Sequence, residues 1–241
     1  HGETIAVRGP RYGRAVTAAN LPQHVVNAFI AAEDKRFREH SGVDYIAILR
    51  AVITNARAGH TVQGGSTITQ QLVKNLLLNQ DQTIKRKVQE AVLANELELV
   101  LSKDEILDLY LNRIYLGAGA YGLDAAAQTY FGKAPSTLTL GEASMLASFP
   151  KAPSRFASHI GAASTIDRQH YVLDRMVEGG FATPREAAAA KGELLVYAAP
   201  RSDAFSGHAL DYAVERVHHL VPNPPPDLLI KLTLALNLQT E

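Results

Sequence analysis

Cysteine is absent from the 241 residues, which excludes disulfides and thiolate metal sites and leaves the redox compartment open. No run of about 18 apolar residues occurs, so nothing in the sequence is expected to span a bilayer. Net charge is absent too. Lys plus Arg and Asp plus Glu both number 24, so no global field draws in nucleic acid or anionic lipid, and anion recognition has to come from a local cluster. No His-Glu-x-x-His pattern, Walker loop or Gly-x-Ser-x-Gly elbow appears, and the nine histidines show no ligand spacing. No signal peptide is expected within these residues either. The chain opens abruptly on His1 and Gly2, and an upstream anchor helix is expected to be absent from it.

What is present is apolar and mostly helical. A hydrophobic content of 46% over this length suffices for one good core, or one core with a small appendage. A short strand and turn are expected before Val16, around Thr4–Val7, Gly9, Pro10 and Gly13. Helices are predicted from Leu21 to about Asp34, from Tyr45 to Ala58, through Ile68 to Leu77, and from Ile84 to about Leu101. Ser102 with Glu105, and Thr139 with Glu142, have the spacing of capping boxes at the starts of two more. Gly117–Gly122 should be loop, Pro150 should stop the Ala-rich helix before it, and Ile166–Met176 and Pro184–Ala190 should be helical. Beyond Tyr197 loops and short strands are expected, with the Pro222–Pro226 cluster as a stiff spacer and a strand-like alternation over Leu229–Leu238.

Five segments carry polar chemistry. In AAEDKRFREHSGVD, Glu33 and Asp34 end an apolar helix and lead to Phe37, His40 and Gly42. A carboxylate desolvated there suits a general base, although a solvated helix end with a satisfied histidine would look the same. GGSTITQQLVKN crowds Ser66, Thr67, Thr69, Gln70 and Gln71 beside two glycines, with Lys74 and Asn75 one turn on. That composition suits a sugar or phosphate ligand, and it also suits an ordinary helix N-terminus. TIKRKVQE places Arg86 and Lys87 four and three residues before Glu90, on one helical face. As a plain surface ion pair it needs no function. If it faces Lys74, the cations converge as a diphosphate leaving group requires.

Ser102–Gly122 is mainly architectural, with Asn112 and the glycines making the exit turn. EASMLASFPKAPSRF presents Lys151 between Pro150 and Pro153 on a stiff loop. Ser148 to Lys151 also matches the Ser-x-x-Lys pattern of acyl-enzymes. Pro150 argues against the helical turn that pattern needs, and its partner motifs are absent.

Taken in order, these segments resemble the motifs of the family 51 glycosyltransferases, the peptidoglycan polymerases, closely over about Pro22 to Phe156. The resemblance implies that Glu33 is the catalytic base and that Glu90 is the family's second essential glutamate. It implies that Asp34, His40, Ser66, Thr67, Gln70, Gln71, Lys74, Asn75, Arg86, Lys87, Asn112 and Lys151 meet substrate. Ser144 and Phe149 depart from the fifth motif without removing a chemical group. The implied fold is mainly α and lysozyme-like, two-lobed, with short β or linker segments at both ends. The expected division is a lead-in over residues 1–20, the glycosyltransferase domain over 21–196, and over 197–241 the start of a linker toward a missing transpeptidase of a bifunctional class A penicillin-binding protein.

The implied reaction is polymerisation of lipid II into β-1,4 glycan with inversion and release of undecaprenyl diphosphate, at the outer, periplasmic face of a bacterial cytoplasmic membrane. No cofactor is required and no protein metal site is expected, a divalent cation such as Mg²⁺ being admissible at the substrate diphosphate. The implied partners are lipid II, the growing lipid-linked glycan, the membrane surface and proteins of a cell-wall synthesis complex, with no nucleic acid. Two other classes fit the residues alone: a lysozyme-like glycan hydrolase and a non-catalytic scaffold module.

Overall fold

The computed structural model describes residues 11–59, 64–77, 83–198 and 216. The chain divides into two units, and every element below belongs to the one spanning Arg8–Ala199; the other, His1–Val7 with Pro200–Glu241, lies outside the described residues apart from Arg216. The strands anticipated at Thr4–Val7 and Leu229–Leu238 and the proline spacer fall there too.

The unit is mainly helical, as expected. Its elements are β1 (Arg11–Tyr12), α1 (Gln23–Glu33), α2 (Tyr45–Ala58), α3 (Ile68–Leu77), α4 (Ile84–Val100), α5 (Lys103–Arg113), β2 (Ala120–Tyr121), α6 (Leu123–Phe131), α7 (Leu140–Ser148), α8 (Pro153–Ser158), α9 (Ala163–Glu178) and α10 (Pro184–Lys191). Local chemistry sets most helix ends. Ser102 and Thr139 form the expected capping boxes with Glu105 and Glu142, and Thr183 forms a third with Glu186. Asp44 caps α2 by accepting from the Ala47 N–H at 2.9 Å, and Gly59 closes that helix in the left-handed region at φ 70°.

The core forms where α1, α7 and α9 pack on one another. α7 is buried on every side, which its sequence LGEASMLAS allows because small residues alternate with Met145 and Leu146. α1 contributes Val25, Val26, Phe29 and Ile30, and α9 contributes Val172, Leu173 and Met176. A second group, in which α3 packs on α4 and α5, is apolar through Ile68, Leu72, Leu107 and Leu111. α2 differs. Only Ala51 is buried, while Tyr45, Ile46, Leu49 and Val52 are all more than half exposed.

Three local features depart from the sequence reading. α6 forms in a segment without large apolar residues at helical spacing, between Gly122 at φ 82° and Gly132 at φ 65°. Gly122 has no alternative: a Cβ there would sit 2.7 Å from the Asn112 carbonyl oxygen. α7 ends at Ser148, before Pro150, as expected; the stiff loop expected next is instead a 3-10 turn, Phe149–Lys151, and Pro153 then opens α8. Proline is tolerated in a first turn because its missing N–H has no partner to lose. The turn between Ser148 and Lys151 therefore exists. Ser148 is nonetheless no nucleophile, because it is fully buried with its hydroxyl donating to the Met145 carbonyl at 2.7 Å.

The segment before α1, expected as lead-in, is tied into the helical body. β1 pairs in parallel with β2, Arg11 opposite Ala120. Asn112 holds the next stretch: its Oδ1 accepts from Val16 N–H at 2.8 Å, and its Nδ2 donates to the Val16 and Asp108 carbonyls, each at 2.7 Å. Replacing Asn112 with Ala should therefore destabilise the fold by about 1–3 kcal/mol through backbone groups left without partners. Chemical denaturation checks this, and an unchanged midpoint would refute it.

Candidate active site

Glu33 is the last residue of α1, and the backbone leaves the helix at Asp34 with φ −153°. Asp34 faces inward. Its carboxylate takes the His40 Nε2 at 2.9 Å and the N–H of Ile68, the first residue of α3, at 3.1 Å. Thr67 donates from Oγ1 to the Gly42 carbonyl at 2.6 Å, and Thr67 and Gln70 cap one another's N–H groups at 3.0 and 3.1 Å. Gly42 sits at φ 66°, and a Cβ there would fall 2.6 Å from the Asn95 nitrogen. These bonds lock the loop after α1 to the start of α3, and so bring two distant sequence segments side by side.

That junction positions Gln71 against Glu33. The Gln71 Nε2 donates to a Glu33 carboxylate oxygen at 2.7 Å, while the Tyr110 hydroxyl donates to the Gln71 Oε1 at 3.4 Å. Glu33 keeps partial solvent access. Protein packed around its carboxyl raises its pKa above the ordinary glutamate value; the Gln71 hydrogen bond, Arg168 and Lys151 pull against this, and Asp34 adds to it. Lys151, in the 3-10 turn after α7, has its pKa lowered, first by partial burial and then by Arg168, with Glu33 opposing. A carboxylate and two cations thus feel one another without a contact ion pair among the described residues.

The cleft beside Glu33 is also lined by Lys35, Asp44, Arg50, the loop Gly64–Thr67 and Arg175. Ser66 leads from it to α4. The Lys87 ammonium donates to the Ser66 Oγ at 2.8 Å and pairs with Glu90 at 2.6 Å, while Arg86 pairs with the other Glu90 oxygen at 2.9 Å. Glu90 is 3% exposed, so its charge is held by these two cations.

The structure thus brings Glu33, Ser66, Gln71, Arg86, Lys87, Glu90 and Lys151 into one neighbourhood. Asp34, His40, Thr67 and Gln70 brace it from behind. Lys74 and Asn75 lie on α3 past Gln71, exposed and without a side-chain hydrogen bond among the described residues. Asn112 is the correction: expected at substrate, it has its amide taken up by backbone groups near Val16.

Two features were not anticipated. Arg168 and Arg175 reach the Glu33 surroundings from α9, where their spacing of seven, with buried Val172 between, puts both on one helical face. Asp34, His40 and Asp44 bring donor atoms within 4.8 Å of one another, a cluster invisible in the linear order. Its carboxylates are already engaged, Asp34 with His40 and Ile68, Asp44 with the Ala47 N–H and with Arg36 at 3.3 Å. The trio is therefore a hydrogen-bonded brace.

A cleft between helices, with a glutamate at a helix end and cations around it, defines a candidate site for sugar transfer from a charged donor. In keeping with it, the family model described as Transglycosylase matches residues 1–177, and the chain belongs to that family. Among curated relatives, penicillin-binding protein 1A of Aquifex aeolicus is 47% identical over 196 residues, covering 81% of this chain and 27% of that protein. Penicillin-binding protein 1A of Escherichia coli is 48% identical over 185 residues, 77% of this chain and 22% of the relative. Penicillin-binding protein 1F of Bacillus subtilis is 41% identical over 195 residues. The chain thus spans about a quarter of the length of the relatives it matches. A crystal structure of penicillin-binding protein 1A from Haemophilus influenzae shares the fold, with a TM-score of 0.56 and 23% identity over 90% of this chain and 22% of that one.

Proposed function

We propose that this domain is a peptidoglycan glycosyltransferase that polymerises lipid II. The observation that carries the reading is the Glu33 carboxyl, its pKa raised by burial, in one cleft neighbourhood with Lys151 and the Ser66–Lys87–Glu90 chain. A base with a raised pKa is matched to taking a proton from an alcohol near neutral pH. Glu33 removes the proton of the acceptor's 4-hydroxyl, that oxygen attacks the anomeric carbon of the lipid-linked donor, and the α-linked diphosphate departs as a β-1,4 bond forms.

Lys151 and Lys87, with Arg86 behind and Lys74 along α3, neutralise the charge that develops on the diphosphate, while Glu90 holds Arg86 and Lys87 in place. The groups nearest this leaving group are cationic, so they supply the neutralisation that a metal would and do not ligate one. Mg²⁺ carried in by the substrate diphosphate is compatible with the scheme, and no step passes through it. A hydrolase acting on neutral glycan would have no use for these cations.

Among the described residues no helix is long and apolar enough to cross a membrane. The exposed Ile46, Leu49 and Val52 of α2 form an apolar face that suits contact with the lipid surface holding the substrate. Such a face supports, as part of this proposal, work at a membrane surface, taken here as the outer face of the cytoplasmic membrane where the lipid-linked substrate lies.

Incubation of the purified protein with labelled lipid II tests the proposal. Polymer of many disaccharide units is the expected product. Free disaccharide released from uncharged glycan, or lipid II bound but unaltered, would contradict it.

The pH dependence follows from the two shifts. The base works only when ionised, so activity falls as pH drops through the Glu33 pKa, which lies above the ordinary carboxylate range. The cation works only when protonated, so activity falls as pH rises through the Lys151 pKa, which lies below the ordinary lysine range. A bell-shaped profile of kcat/KM with drawn-in limbs is expected. An acid limb at the usual glutamate position would show that Glu33 is not the base.

A further inference from the structure

Tyr110 lies on α5, which packs against α3, and its ring is built into the apolar core, 1% exposed. A phenylalanine would fill the same space. The hydroxyl adds nothing to packing and loses its water on burial, so it needs a partner within the protein. Its one hydrogen-bond partner among the described residues is the Gln71 Oε1 at 3.4 Å, and the Gln71 Nε2 donates in turn to the Glu33 Oε2 at 2.7 Å. These side chains come from α5, α3 and the last residue of α1, and they form a chain that starts in the core and ends at the cleft.

We propose that Tyr110 is a positioning residue of the reaction: it locks the Gln71 amide in the orientation that holds Glu33 Oε2, and so leaves Glu33 Oε1 free for the acceptor's proton. The inference rests on the glycosyltransferase reading and adds to it a residue that touches no substrate and acts through Gln71. An ionised carboxylate only accepts hydrogen bonds, so it requires the nitrogen side of the amide. Turned by half a rotation, Gln71 would set its own oxygen against the carboxylate and push it aside. The Tyr110 hydroxyl opposes that turn, because its proton has an acceptor only while the Gln71 oxygen faces it. The phenol keeps this proton, since burial first, and then the charges of Glu33 and Asp34, raise its pKa well above the ordinary tyrosine value. With Oε2 occupied, Glu33 Oε1 has no hydrogen-bond partner among the described residues, and it takes the proton as the acceptor oxygen attacks.

The test is the steady-state rate of lipid II polymerisation for Tyr110→Phe, Gln71→Ala and the double variant. Tyr110→Phe should lower kcat about tenfold with KM unchanged, because the base loses its aim while the buried position meets no substrate. Gln71→Ala should lower kcat by at least as much. The double variant should be no slower than Gln71→Ala, since a residue that acts through Gln71 then has nothing left to act on. An undiminished kcat in Tyr110→Phe, a rise in KM in its place, or a second loss of similar size on the Gln71→Ala background would overturn the proposal; the last is what a role in core packing alone gives. Should Tyr110→Phe fail to fold, the Tyr110 Cζ resonance in protein carrying isotope-labelled tyrosine decides. It should move in Glu33→Gln, whose neutral amide weakens the bond from Gln71 and with it the next one along the chain, and a resonance that stays put would overturn the proposal. Unmodified protein that makes no polymer under any condition would instead defeat the underlying glycosyltransferase reading.

Discussion

Glu33→Gln should lower lipid II polymerisation by about 10³-fold or more, toward the upper end of what a positioned general base contributes. Gln is nearly the same shape and still accepts the 2.7 Å hydrogen bond from Gln71, so the junction of α1 with α3 is retained. What disappears is the site that receives the acceptor's proton. Burial disfavours the charged carboxylate here, so the neutral amide relieves a cost, and the variant should melt at the same temperature as the parent or slightly above it. Activity and stability are therefore expected to part company. A variant that polymerises at even a tenth of the parental rate would remove Glu33 from the mechanism; one that is inactive because it is unfolded would show that the residue is structural.

The second large effect is expected at Glu90. Its carboxylate is almost fully buried and holds Arg86 at 2.9 Å and Lys87 at 2.6 Å, and Lys87 in turn reaches Ser66 at the edge of the cleft. Removing one member of a buried ion group leaves the remaining charge under-compensated, which costs on the order of 3 kcal/mol. Half of that network is wet, since the Lys87 side chain is 52% exposed, and the loss should lie at the lower end of this range. Glu90→Gln should also reduce polymerisation by about 10²-fold, because Lys87 loses the partner that aims it along the cleft. Both losses are read from one preparation, by denaturant titration and by initial rate. Full activity in a destabilised Glu90→Gln protein would confine Glu90 to folding.

The two glutamates thus differ in kind. Glu33 stands at the cleft with a carboxyl oxygen that is not committed to a cation, whereas both oxygens of Glu90 are taken. Their equal standing as catalytic residues in the sequence reading cannot be separated by composition or spacing, because a helical face that pairs Arg86 with Glu90 looks the same at a surface and at a site. Burial makes the distinction, and burial depends on packing.

Elements whose boundaries are written in local chemistry were legible beforehand. Gly59 ends α2, Ser102 and Glu105 open α5, and Thr139 and Glu142 open α7, whereas the Asp44 cap of α2 emerged only from the structure. α6 was not legible, since LDAAAQTYF offers alanine where periodicity needs larger apolar groups. Pro150 does mark the end of α7 at Ser148, but the expected stiff loop is a 3-10 turn, since proline fits the first turn of a new helical segment.

Side-chain direction was the other loss. Asp34, His40, Thr67 and Gln70 belong to the same strings as Glu33, Ser66 and Gln71, yet the first four are spent on bonds that lock the loop after α1 to α3, while Gln71 bonds Glu33 and Ser66 meets Lys87. Asn112 turned out to hold the backbone at Val16, a partner 96 residues away that no local pattern indicates. Arg168 and Arg175 were overlooked for a related reason: on a helix with a strong apolar stripe, two arginines seven apart look like solvated surface until the opposing helix is known to end in Glu33.

The account stands on a spatial claim, that the base at the end of α1 and the cations from α4 and the turn after α7 address one bound donor and acceptor. The most direct measurement is a crystal structure of the Glu33→Gln protein bound to a phosphoglycolipid that mimics the donor. The phosphate should lie within ion-pair distance of Lys87 and Lys151, with the attached sugar beside residue 33. A mimic seated on another face, or one whose phosphate meets neither lysine, would contradict the claim.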